Sequence, residues 1–145
     1  MMRRMRPAMA ALPLIATLLL SACGGTVSDE YTIEHEPAHV ETVAGSKHPR
    51  VILEEAAVRR IAIETTPVVK TANALVVPSA AVFVDPKGVW WVYTNPEPRV
   101  FVRHEIRIQR QAGGLAYLSS GPAAGTKVAT VGVPELYGVE EEVGH

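Results

Sequence analysis

The sequence holds a single cysteine, Cys23, in 145 residues. A lone thiol has no partner within the chain, so no internal disulfide can stabilise the fold. A cysteine-built metal site is excluded for the same reason. No apolar run reaches the roughly 20 residues that a bilayer-crossing helix needs. Positive charge is not in excess either: 14 basic residues face 15 acidic ones. A nucleic-acid binder would want a basic surface. Catalytic signatures are missing too. There is no Gly-x-Ser-x-Gly elbow, no Gly-rich phosphate loop and no His-Glu-x-x-His helix. Ser79, Ser119 and Ser120 stand beside turn residues with no base nearby in sequence. The sequence therefore predicts a non-enzymatic protein with no cofactor.

The N-terminus has a definite pattern. Arg3, Arg4 and Arg6 precede the apolar stretch Ala8–Leu20, and Leu20-Ser21-Ala22-Cys23 follows. A basic start, a short apolar middle and small residues before a processing point describe an export signal. Leu-Ser-Ala-Cys resembles a bacterial lipobox. That resemblance implies cleavage before Cys23 and diacylglycerol on its sulfur. Two or three acyl chains anchor a protein firmly, since each buried methylene adds about 0.8 kcal/mol. Residues 1–22 are thus expected to be a lipoprotein signal peptide. Their removal leaves 11 basic against 15 acidic residues, a net charge of −4. The expected location is the cell envelope, on the extracytoplasmic side of a membrane.

Residues 23–49 read as a lipid-anchored flexible tether. The stretch is rich in small, charged, Pro and Gly residues and cannot bury enough surface to offset its chain entropy. His35, His39 and His48 lie in it and form a candidate metal-binding set. Pro37, between His35 and His39, disfavours the helix that would align those two.

A folded domain is expected over residues 50–138, followed by a disordered acidic tail over 139–145. Glu54–Arg60 is the one predicted short helix, with acidic residues at its start and basic residues at its end. The rest reads as short strands between turns: Val51–Leu53, Ile61–Val69, Leu75–Val77, Ala80–Val84, Val89–Thr94, Val100–Ile108, Leu115–Ser119 and Lys127–Val131. Asp85–Gly88 and Asn95–Pro98 are expected turns. In Val100–Ile108 the alternation puts Val100, Val102, His104, Ile106 and Ile108 on a buried face. Phe101, Arg103, Glu105 and Arg107 fall on a wet one. The pattern predicts a mainly β fold, a small antiparallel barrel or sandwich of about 6–7 strands.

The strand Val89–Thr94 carries Trp90, Trp91 and Tyr93, so both of its faces are apolar. One face fills the core, and the other packs on a further element or a partner. The expected partner-contact set is Trp90, Trp91, Tyr93, Phe101, Arg103 and Arg107.

Three segments resemble one family. They are Val77-Pro78-Ser79-Ala80-Ala81-Val82 with Gly88 and the aromatic strand, Phe101–Ile106, and Leu118-Ser119-Ser120-Gly121-Pro122-Ala123-Ala124-Gly125-Thr126-Lys127-Val128-Ala129. Together they resemble the C-terminal part of HlyD-type membrane fusion proteins, the periplasmic adaptor subunits of efflux pumps. Val51–Val69 resembles the opening strand of those adaptors. Ala62 and Thr126 depart from the family's Gly and Asp, and Gly121-Pro122 from its Gly-Leu. Lys70–Ala74 is far too short for the adaptor's barrel, lipoyl-like and hairpin domains. The resemblance implies an isolated membrane-proximal domain that docks on, or modulates, an inner-membrane transporter or its adaptor.

Overall fold

The computed structural model describes residues 36–143. The expected signal peptide, Cys23, the first part of the expected tether and His35 lie outside the described residues.

The fold is mainly β, with antiparallel strands in two sheets. The strands are β1 (Ala38–Glu41), β2 (Arg50–Leu53), β3 (Glu64–Pro67), β4 (Val69–Lys70), β5 (Leu75–Pro78), β6 (Val82–Val84), β7 (Trp90–Glu97), β8 (Val100–Glu105), β9 (Arg107–Ala112), β10 (Leu115–Ser120) and β11 (Lys127–Val131). Among the described residues two α-helices join them, α1 (Glu55–Ile61) and α2 (Val133–Val143). The larger sheet has the order β1-β2-β8-β7-β11-β3, and β6 also pairs with β7; the smaller sheet runs β4-β5-β10-β9. Both sheets are open, so the sandwich expectation fits and the closed barrel does not.

Adjacent residues of the central strands feed opposite cores. On β7, Tyr93 enters a cluster with Val51, Leu53, Phe101, Ala129 and Leu136. Its neighbour Val92 enters a second cluster with Val77, Ala116, Leu118 and Val128. Both are 0% exposed. On β11, Ala129 and Val128 divide in the same way. The first core lies under the helices and the second lies between the sheets. A strand buried on both faces reads as a continuous apolar run, which is why Val89–Tyr93 carries no polar alternation.

The chain passes from the larger sheet to the smaller at two buried corners. At the first, Val68 separates β3 from β4. Its N–H donates to Thr126 O at 2.8 Å, and its carbonyl accepts from Gly125 N at 2.8 Å. At the second, Ile106 separates β8 from β9, and its N–H donates to Trp90 O at 2.9 Å. These corners split the expected strands Ile61–Val69 and Val100–Ile108; with β1, which no expected strand covers, the eight expected segments become eleven strands among the described residues, against a fold of about 6–7. The faces of Val100–Ile108 also differ from the expectation, because the start of β8 is covered on both faces and its end is not. Phe101, placed on the wet face, is buried under α2, while His104, placed on the buried face, is exposed.

Three further corrections concern boundaries. The segment expected to be a flexible tether contains β1, which pairs with β2 from Ala38 opposite Leu53 to Glu41 opposite Arg50. The expected turn Asn95–Pro98 is largely strand. There the Asn95 side-chain amide donates to Glu97 O and Val100 O at 2.7 and 2.9 Å, so the reversal falls at Pro98-Arg99, where Arg99 has φ +64°. The acidic tail is helical through Val143 and packs on the sheet. Val133, Leu136, Tyr137 and Glu140 recur at helical spacing and form its inward face.

Candidate docking surface

The six residues expected to meet a partner do not share one environment. Trp91, Tyr93 and Phe101 are buried in the domain. They are core residues, because both faces of β7 and the start of β8 are covered. Arg103 is mostly enclosed. Trp90 and Arg107 remain exposed.

Arg103 is the centre of a polar and aromatic cluster beneath α2. Its guanidinium carbon lies 5.0 Å from the centre of the Trp91 ring. Its Nε donates to His48 Nδ1 at 3.3 Å. The same Nε lies 3.0 Å from Glu140 Oε1, an ionic contact without hydrogen-bond geometry, so that oxygen accepts no hydrogen bond. Glu140 Oε2 accepts from the Tyr93 hydroxyl at 2.6 Å. His48 also meets Trp91 edge-on, with ring centres 4.9 Å apart. Tyr93 stacks on Phe83 at 5.0 Å, and Phe83 touches Tyr137 at 5.5 Å. The cluster thus ties α2, β6, β7, β8 and the loop before β2 together.

Ionisation in the cluster follows burial. Glu140 is only 4% exposed. Burial pushes its carboxyl above 4.5, against the opposing pull of the Tyr93 hydrogen bond and the Arg103 charge. Burial, reinforced by Glu140, drives the Tyr93 phenol far upward, so it stays a donor at any physiological pH. His48 is lowered below 6.5 by burial first and by the Arg103 charge second. A neutral imidazole with a free Nδ1 lone pair suits its role as acceptor.

The β6–β7 hairpin forms the second part of the surface. Asp85 organises its turn: Oδ1 accepts from Lys87 N and Val89 N, each at 2.9 Å. Oδ2 accepts from Trp91 Nε1 at 3.1 Å. These donors hold the Asp85 carboxyl below its usual range, with the Val89 N–H the largest cause. Gly88, at φ +80°, closes the turn.

Of the three expected metal-binding histidines, His39 and His48 lie within the described residues, each with other partners. His39 lies on β1, 3.6 Å from Glu41, and His48 is engaged by Arg103. Among the described residues no group of three or more His, Asp or Glu is placed to hold a metal ion.

Sequence reasoning missed Glu140 because it stands in a run of three glutamates that reads as solvent-facing. The signal was its place seven residues after Val133 on the inward stripe of α2. The sequence marks Asp85 as a turn residue; its bond to Trp91 Nε1 does not follow from turn preferences.

No protein-family model matches the chain, and no curated protein matches it significantly.

Proposed function

We propose that the chain is a non-catalytic lipoprotein of the cell envelope. Lipid on Cys23 holds it to a membrane, and its β domain docks on or modulates an inner-membrane transporter. In this reading it resembles the membrane-proximal domain of HlyD-type efflux adaptors.

The observation that carries the reading is the join between β4 and β5. The adaptor-like regions on either side of it pack into one two-sheet body. The ends they leave are bridged by a tight turn in which Thr71 N donates to Ala74 O at 2.8 Å. Val69 faces Val76 and Lys70 faces Leu75 across that hairpin. Inserted domains are tolerated where chain ends lie close together at the surface. A tight surface turn is therefore where an adaptor could carry its conduit domains and where this chain could do without them.

For the docking contact, the fold offers the edge strand β9. It ends the smaller sheet and presents Arg107, Gln109 and Arg110 to solvent. An open edge of six residues can accept a strand from another protein through main-chain hydrogen bonds. Its two arginines favour an acidic segment.

Photocrosslinking in intact cells tests this. A photoreactive residue in place of Gln109 is expected to give a reproducible adduct with a polytopic membrane protein or its adaptor. The same group in place of Arg59, on α1, is expected to give none. Equal adducts from both positions, or none from Gln109, would contradict the reading.

A further inference from the structure

The β6–β7 hairpin ends in an apolar tip that the fold leaves uncovered. Val84 stands opposite Trp90, Phe83 opposite Trp91 and Val82 opposite Val92. Strand alternation turns Phe83 and Trp91 toward the helices. It sends Val84 and Trp90 together to the other face, where they are 49% and 40% exposed. The turn between them is held firmly. Asp85 N donates to Val89 O at 3.0 Å and Gly88 N donates to Asp85 O at 2.9 Å. The Asp85 carboxylate is taken up by Lys87 N, Val89 N and Trp91 Nε1. Its charge is thereby satisfied locally, and Lys87 is left as the exposed cation of the turn.

We propose that this tip, Val84, Lys87 and Trp90, seats in the headgroup layer of the lipid bilayer to which the chain is anchored. The inference rests on the lipid-anchor reading of Cys23. A tryptophan has an apolar body and one N–H, and it favours the boundary between hydrocarbon and water. A lysine beside it can lay its methylenes along lipid and keep its ammonium wet. A protein partner fits less well. The exposed parts of two side chains are a small fraction of the roughly 800 Å² per partner in a stable protein interface. For an anchored chain they are enough, because the anchor has already met the cost of association. The segment Gly24–Pro37 spans at most about 50 Å when fully extended, so the bilayer surface is always within reach of the domain. A contact too weak to bind from solution becomes populated at that effective concentration. The contact would orient the domain on the membrane.

The test uses the full lipoprotein reconstituted in phosphatidylcholine vesicles, with or without lipids brominated along the acyl chains. The chain has two tryptophans, and Trp91 is buried, so a bilayer quencher reports on Trp90. Bromines near the headgroup are expected to quench emission about twofold more than bromines near the chain ends, as an interfacial tryptophan requires. Trp90→Phe is expected to abolish the quenching while circular dichroism stays unchanged. Absence of quenching from a chain that floats with vesicles and carries lipid on Cys23 overturns the tip proposal and leaves the anchor standing. Quenching that persists in Trp90→Phe overturns it as well. A chain without lipid that fails to float overturns the anchor reading beneath it.

Discussion

Glu140 decides how the helix side of the domain responds to pH. Its folded carboxyl titrates above 4.5 because burial outweighs Arg103 and Tyr93. A carboxyl raised on folding contributes stability that is fully present below its unfolded value and is lost as pH rises through the folded one. Glu140→Gln keeps a group that can accept from Tyr93 and removes the titration. Urea midpoints are therefore expected to favour the natural protein over Glu140→Gln more at pH 5 than at pH 7. A gap that widens with pH would mean that the Arg103 ion pair dominates. Glu140→Ala strands the buried Tyr93 hydroxyl and is expected to cost about 1–3 kcal/mol at any pH in this range. His48 acts in the opposite sense. Its folded value lies below 6.5, so the stability it contributes is present above 6.5 and is lost as pH falls through that folded value. His48→Gln is expected to flatten the acid side of the stability profile below pH 6.5, and an unchanged profile would show that the Arg103 contact does not depend on a neutral imidazole.

At the scale of elements, two backbone positions control how α1 meets β3 and α2. Ala62 ends α1 in the left-handed conformation, φ 53° and ψ 47°, where glycine carries no Cβ penalty. Ala62→Gly is expected to raise stability by about 0.5–1 kcal/mol, the strain relieved less the added freedom of the unfolded chain. Gly132, between β11 and α2, has φ +85°, and a Cβ there would lie 2.8 Å from Ile61 Cγ2 and Ile63 Cγ1. Gly132→Ala combines strain with overpacking and is expected to cost about 2–3 kcal/mol. Denaturation midpoints check both, and a stabilised Gly132→Ala would show that the α1–β3 junction yields freely.

The same elements show what the sequence could and could not tell. Helix α1, the Asp85–Gly88 turn and the Leu115–Ser119 and Lys127–Val131 strands follow from local rules, because caps, turn residues and β-branched runs act over a few positions. The corners at Val68 and Ile106 do not. An alternating pattern continues through them unbroken, and only the pairing partners show that the strand has changed sheets. His104 is misplaced for that reason, and Phe101 because its neighbour Val100 is buried too, the start of β8 being covered on both faces. The cluster on Arg103 was illegible for a related one: His48, Trp91 and Glu140 are far apart in sequence and meet only through β2, β7 and α2.

At the scale of the molecule, with no disulfide to brace it, stability comes from two apolar cores that share a central sheet. β7 and β11 contribute to both cores, so damage to one is felt in the other. Such a body offers edges and a hairpin tip. The proposed lipid on Cys23 supplies the place, β9 the edge for a protein partner, and the Val84–Trp90 tip an orientation on the bilayer. The most direct measurement is the intact mass of the mature chain extracted from membranes. The expected mass is that of a polypeptide beginning at Cys23 and carrying a thioether-linked diacylglycerol. A chain that retains residues 1–22, or that is cut elsewhere and bears a free Cys23 thiol, would contradict it.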